Sequence, residues 1–102
     1  MAFYQNYLGV EYSLPKQDMI AVPNMDGAME NWGLVIYGEQ YLTHIVQTTA
    51  AANRELNVLV VAHEMAHQWF GNLVTLDWWT DLWLNEGLAT YLSYVAVDDV
   101  SH

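Results

Sequence analysis

The stretch that decides the fold is NVLVVAHEMAHQWFGNLVTLDWWTDLWLNEGLATYLSYVAV, residues 57–97. Two apolar, helix-compatible runs flank a connection rich in turn residues and aromatics. The first run holds His63, Glu64 and His67. On a helix, positions i and i+4 lie about 40° apart around the axis and about 6 Å apart along it. Both imidazoles then project from one face and can converge on a single ion. Glu64, one residue beyond His63, flanks that ion instead of binding it, which is where a general base takes a proton from an activated water. The H-E-x-x-H spacing is the signature of this arrangement. Leu59, Val60, Val61 and Ala62 make the preceding turn strongly apolar. The two histidines and the glutamate are therefore expected to be buried at least in part. Buried polar groups need a partner, and a metal supplies one.

Zinc suits two neutral imidazoles and a carboxylate, with the fourth position left open. The third ligand must come from a second element. Eighteen residues separate His67 from Glu86, and an antiparallel helix pair with a short connection returns Glu86 to the histidines. Its neighbours Leu82, Leu84 and Leu88 predict a buried carboxylate, which is costly unless its charge is compensated. Asp77 and Asp81 compete for the role, but capping or solvation explains them more simply. Asn85 and Thr90 flank Glu86 and can hydrogen-bond around the ligands.

Working outward, Asn53 reads as the N-cap of a helix over residues 54–70 that stops at Gly71 and Asn72. Residues 73–76 are extended, residues 77–81 form an aromatic turn, and a second helix runs over residues 82–97. Upstream, residues 3–8 end a helix stopped by Gly9. Asp18–Val22 reads as a strand ended by Pro23, and residues 29–37 as a second strand kinked at Gly33. Residues 38–49 read as loop with some helix. Strands first and a helix–turn–helix after them indicate an α+β domain, short antiparallel strands followed by a two-helix zinc-binding unit, with the strand region over residues 1–37 and the metal-binding unit over residues 53–98. Trp69, Trp78, Trp79 and Trp83 are expected in the core, and Tyr91 and Tyr94 in helix packing. His44 and His102 are expected at the surface. Lys16 is given no function.

Composition sets further bounds. The 102 residues are 54 % hydrophobic, with five Trp, seven Tyr and five Met. That is too apolar for a disordered chain and apolar enough to suggest faces that await neighbours. Two basic residues against twelve acidic ones give a net charge of −10. Nucleic acid is excluded as a partner, because nothing here neutralises phosphates. An acidic cleft favours cations, whether a metal ion or a protonated amine. Without cysteine there is no disulfide framework and no thiolate zinc site. The first residues carry no signal-peptide pattern, and no apolar run is long enough to span a bilayer.

HEMAHQWFGNLVTLDWWTDLWLNEGLATYL, residues 63–92, resembles the zinc core of the aminopeptidase N family of gluzincins. GAMEN, residues 27–31, resembles that family's exopeptidase signature, and residues 11–33 are similar to family sequence throughout. The likeness is weakest over residues 45–57. It implies a thermolysin-like catalytic core with one zinc ion per chain, held by His63, His67 and Glu86, with Glu64 as base. It implies that Glu30 binds the free α-ammonium group of a peptide. Gly27 and Ala28 would present backbone groups to the substrate, Met29 would line the pocket for its first side chain, and Asn31 would complete the motif. The implied partners are peptides with a free N-terminus. Such relatives are often membrane-anchored with an extracellular catalytic domain and sometimes cytoplasmic, so the compartment is left open.

The same resemblance predicts what lies outside these residues. The family's transition-state tyrosine lies well downstream of the glutamate ligand, and the sequence given ends sixteen residues after Glu86. The family's N-terminal β-domain and C-terminal helical domain are likewise not in it. The expectation is a fragment or truncated form with weak or no activity alone, since losing one oxyanion donor costs on the order of a hundredfold to a thousandfold. The alternative is a catalytically incompetent module that binds zinc and peptide.

Overall fold

The computed structural model describes residues 1–43 and 51–101. Helix α1 (Ala2–Leu8) stops at Gly9, whose N–H donates to the Gln5 carbonyl at 3.0 Å. Three strands follow: β1 (Asp18–Val22), β2 (Ala28–Met29) and β3 (Leu34–Gly38). A single helical turn, α2 (Glu39–Leu42), leaves the sheet. Two long helices, α3 (Ala51–Ala66) and α4 (Leu82–Ser101), complete the α+β architecture.

The sheet order is β1-β3-β2. The long strand expected over residues 29–37 is instead a hairpin. β2 pairs antiparallel with β3, Ala28 opposite Tyr37 and Met29 opposite Ile36. The chain reverses through residues 30–33, where Leu34 N–H donates to the Asn31 carbonyl and Gly33 adopts φ +73°. Apolar residues on both sides of this turn hide it from a periodicity argument. A positive φ at Gly33 is cheap only because glycine has no Cβ. The other pairing, β1 with β3, is parallel, Asp18 opposite Leu34 through Val22 opposite Gly38. The antiparallel arrangement expected of the strands therefore holds for one pairing of the two.

Alternation along β3 buries Val35 and Tyr37 completely and leaves Leu34 exposed, as the twofold period of a strand requires. Those two side chains join Tyr4 of α1, Met65 and Ala66 of α3, Trp69, and Ala89, Leu92 and Ala96 of α4 in one core. Small residues on α4 let the two long helices approach closely. The N-terminal segment is pinned to this core by two bonds. Tyr4 Oη–H donates to the Ala62 carbonyl at 2.7 Å, and Trp69 Nε1–H donates to the Val10 carbonyl at 3.0 Å.

Several boundaries and placements differ from the sequence-based expectations. Asn53 lies inside α3 and does not cap it. The helix ends at Ala66 and not Phe70, because the next turn tightens: Gln68 N–H donates to Met65 O and Trp69 N–H to Ala66 O. The chain then folds into a compact turn closed by Leu73 N–H to Gln68 O and Val74 N–H to Trp69 O. Of four tryptophans expected in the core, only Trp69 is buried; Trp78, Trp79 and Trp83 are 65–70 % exposed. They sit on the turn and the first turn of α4, outside the α3–α4 seam. Tyr91 and Tyr94 are also exposed. Lys16 is paired with Asp18 at the surface. His44, His102 and the part of the 38–49 segment beyond Thr43 lie outside the described residues. No helix among the described residues is long and apolar enough to cross a membrane.

Candidate metal centre

The last turn of α3, the residue just past its end and the second turn of α4 bring His63, His67 and Glu86 together. His63 Nε2 lies 2.9 Å from His67 Nε2 and 3.1 Å from Glu86 Oε2, and His67 Nε2 lies 3.3 Å from the same oxygen. Ligand atoms about 2.0–2.1 Å from a tetrahedral zinc ion are separated from one another by about 3.3 Å. The three observed edges are close to that length, so these atoms fit the corners around one ion. The donor chemistry fits as well. His67 Nδ1 lies 2.9 Å from the Phe70 carbonyl. A carbonyl only accepts, so Nδ1 carries the hydrogen and Nε2 presents a lone pair. Two imidazole nitrogens and a carboxylate aimed at one point leave that point to a cation.

Burial is uneven across the cluster. His67 is 1 % exposed, and His63 is half-buried. The Glu86 side chain is 46 % exposed, which corrects the expectation of a buried carboxylate. Its leucine neighbours do not cover it, because Leu82 and Leu84 are themselves exposed. Asp77 and Asp81 are exposed on the turn and stand outside the cluster.

Glu64 is buried at 6 % exposure, and its Oε2 has no hydrogen-bond partner among the described residues. Burial pushes its carboxyl up to about 7, against the pull of His67 and with a further push from Glu30 and Glu86. Burial also lowers the pKa of His63, helped by His67 and opposed by Glu86 and Glu30. These two effects place the Glu30 carboxylate within electrostatic reach of both residues.

Thr90 Oγ1 lies 3.4 Å from His63 Nδ1, a long contact at the edge of hydrogen bonding. Asn85, on the preceding turn of α4, is buried and packs against Gly71 beside the His67 ring. The GAMEN residues straddle the edge strand: Gly27 precedes β2, Ala28 and Met29 form it, and Glu30 and Asn31 begin the hairpin turn. Met29 is half exposed.

Two residues given no site role from the sequence join the motifs. Asn72 Nδ2–H donates to the Glu30 carbonyl at 2.7 Å, and Gln68 Nε2–H donates to the same carbonyl at 3.2 Å. Their signal in the sequence was a pair of amides just past His67. A third, the Phe70 carbonyl, is a backbone group and leaves no sequence signal. Tyr37 also escaped notice: its hydroxyl is buried near Glu64 with no partner among the described residues.

The whole chain, residues 1–102, matches the peptidase family M1 domain. It is 56 % identical over 100 residues to aminopeptidase M1-A of Oryza sativa subsp. japonica, covering 97 % of this chain and 11 % of that one. It is 56 % identical over 97 residues to aminopeptidase N of Bos taurus, covering 94 % and 10 %. It is 50 % identical over 97 residues to glutamyl aminopeptidase of Sus scrofa, again covering 94 % and 10 %. The chain thus spans about a tenth of the length of the curated relatives it matches. Both signature motifs fall within the matched residues, and the chain belongs to peptidase family M1, among the aminopeptidases of the aminopeptidase N type.

Proposed function

We propose that this chain carries the catalytic centre of a zinc-dependent aminopeptidase, which hydrolyses the N-terminal peptide bond of peptides. The observation that carries this reading is the convergence of His63 Nε2, His67 Nε2 and Glu86 Oε2 within 3.3 Å of one another, beside a buried carboxylate with a free oxygen. His63, His67 and Glu86 would hold one zinc ion. When bound, that ion polarises the scissile carbonyl and acidifies the attacking water. Glu64 takes the water's proton at Oε2 and delivers it to the leaving amine. In the metal-free protein burial holds the Glu64 proton to about pH 7; beside the charge of a bound cation the carboxyl would ionise and so be ready to act as the base.

Glu30 accounts for the restriction to N-termini. Its carboxylate pairs with the substrate's α-ammonium group in a charge-assisted hydrogen bond. Edge strand β2 and the glycine before it would present backbone groups of Ala28 and Gly27 to an extended peptide, as sheet edges do. Met29 contributes apolar surface for the first side chain, and Asn31 closes the turn that presents Glu30. Asn85 and Thr90 steady the ligands from α4.

The test is the purified protein with one equivalent of zinc and leucine arylamide as substrate. Turnover should vanish in Glu64→Gln while zinc stoichiometry stays at one. The chain's coverage of about a tenth of its relatives' length favours a second reading, a zinc- and peptide-binding module whose transition-state donors lie elsewhere. Stoichiometric zinc with no turnover in the unsubstituted protein supports that module.

A further inference from the structure

The two amides that grip Glu30 have no assigned role, and their geometry is specific. Glu30 is the first residue past β2, so its carbonyl has no ladder partner. Asn72 Nδ2 and Gln68 Nε2 take both of its lone pairs, at 2.7 and 3.2 Å. Gln68 Nε2 also reaches the Glu64 carbonyl at 3.3 Å, and Asn72 Nδ2 reaches Gln68 Oε1 at 3.1 Å. A carbonyl oxygen can only accept, so these contacts fix both amides with nitrogen toward the backbone. Every amide hydrogen in the pair then has an acceptor. Gln68 is 1 % exposed, so solvent cannot easily take the place of its bonds.

We infer that Gln68 and Asn72 are positioning residues that hold the Glu30 carboxylate at a fixed distance from the metal ligands and thereby confer recognition of a free amine. The inference rests on the reading that Glu30 anchors the α-ammonium group. Gln68 follows His67 directly, so the link from metal ligand to amine anchor runs through one residue and one hydrogen bond. With that link, a ligand that meets the metal also meets Glu30. Without it, Glu30 sits on a hairpin turn held by the short strand β2 and the Leu34 N–H to Asn31 carbonyl bond.

The probes are leucine hydroxamate and its desamino analogue, 4-methylpentanohydroxamate. Both bind a zinc ion through the hydroxamate, and only the first offers an amine. The ratio of their dissociation constants on the zinc-loaded protein reads amine recognition without requiring turnover. A charge-assisted bond sets the expected ratio at about ten to a hundred. Glu30→Ala should collapse it. Asn72→Ala and the shape-conserving Gln68→Met should each lower it severalfold, while zinc stoichiometry and desamino binding stay unchanged. In the Glu30→Ala background neither substitution should have a further effect.

A ratio unmoved by Glu30→Ala refutes the amine-anchor reading itself. A ratio that falls with Glu30→Ala but not with Asn72→Ala or Gln68→Met refutes the positioning role alone. Loss of zinc and of both hydroxamates in both amide variants also overturns it, because the amides would then support the metal site and not its distance from Glu30.

Discussion

Replacing Gly71 by alanine tests how closely the turn after α3 holds the metal-binding face. Gly71 adopts φ +132°, a backbone conformation that costs a residue with a side chain about 1–3 kcal/mol. The new methyl group would lie 2.9 Å from Asn85 Nδ2, 3.2 Å from Asn85 Oδ1 and 3.2 Å from His67 Nδ1. Neither neighbour has room to retreat. Asn85 is 9 % and His67 1 % exposed, and His67 Nδ1 is tied to the Phe70 carbonyl. The clash therefore falls on the bond that orients the imidazole. Strain and overpacking together should make the metal-free protein about 2–4 kcal/mol easier to unfold. Misorienting a ligand in this way should weaken zinc binding by about ten- to a hundredfold. Gly87→Ala is the internal control. It adjoins Glu86, its new methyl meets nothing within 4 Å, and in a helix interior it should stabilise by about 0.5–1 kcal/mol. Urea unfolding in chelator and competition with a fluorescent zinc chelator measure the two effects. If Gly71→Ala matched Gly87→Ala in both assays, the claim that this turn orients His67 would be refuted.

Other expectations follow from single groups. Glu64 holds its proton to about pH 7 in the metal-free protein and should surrender it to a divalent cation. At pH 6.5, zinc binding should thus release about 0.8 proton more from the unsubstituted protein than from Glu64→Gln, the difference vanishing by about pH 8.5 as the carboxyl ionises unaided. Calorimetry in buffers of different ionisation heat counts those protons; release from His63 occurs in both proteins and cancels, and equal totals would refute the argument. Tyr37→Phe should change stability by less than about 1 kcal/mol, because the hydroxyl it removes has no hydrogen-bond partner among the described residues. Tyr4→Phe, which breaks a 2.7 Å bond to the Ala62 carbonyl, should cost about 1–2 kcal/mol in the same urea titration. Trp69→Phe removes buried volume and the bond to Val10, and should cost about 2 kcal/mol or more. Trp79→Phe, on an exposed side chain, should fall within about 0.5 kcal/mol of neutral.

What the sequence made legible divides by distance along the chain. His63, Glu64 and His67 are placed by one helix, and helix geometry is local enough to read from spacing. Glu86 needed one further step, the return of a second helix, and its neighbours misled on burial, because apolar residues beside a position bury it only if something covers them. The hairpin at Gly33 was hidden because apolar residues continue through it, and nothing in periodicity marks a change of pairing partner. The parallel pairing of β1 with β3 is set by a crossover that no local pattern encodes. Trp78, Trp79 and Trp83 read as core packing from residue type, which cannot say on which side of a turn a ring lies. Gln68 and Asn72 form their bonds to a backbone carbonyl about forty residues away in sequence. The acceptor has no side chain to betray it.

The charge pattern gives these parts a common logic. Three carboxylates, on Glu30, Glu64 and Glu86, come from three different parts of the chain, and the first and last raise the cost of ionising Glu64. A fold selected for stability alone would not bury a carboxyl whose Oε2 lacks a hydrogen-bond partner among the described residues, since a desolvated group costs free energy unless something compensates it. This concentration of negative charge becomes favourable only when cations enter. A divalent ion among His63, His67 and Glu86 offsets the nearest two, and an ammonium group at Glu30 offsets the third. The ligand and base roles proposed for these residues account for the ion, and the amine anchor accounts for the ammonium. On those proposed roles, one electrostatic arrangement would select both the cofactor and the end of the substrate. Gln68 and Asn72 would matter because the two cations must arrive at a set separation. If Glu30 could drift, the negative field would remain, but it would no longer discriminate a peptide's first residue from any other cation near the cleft.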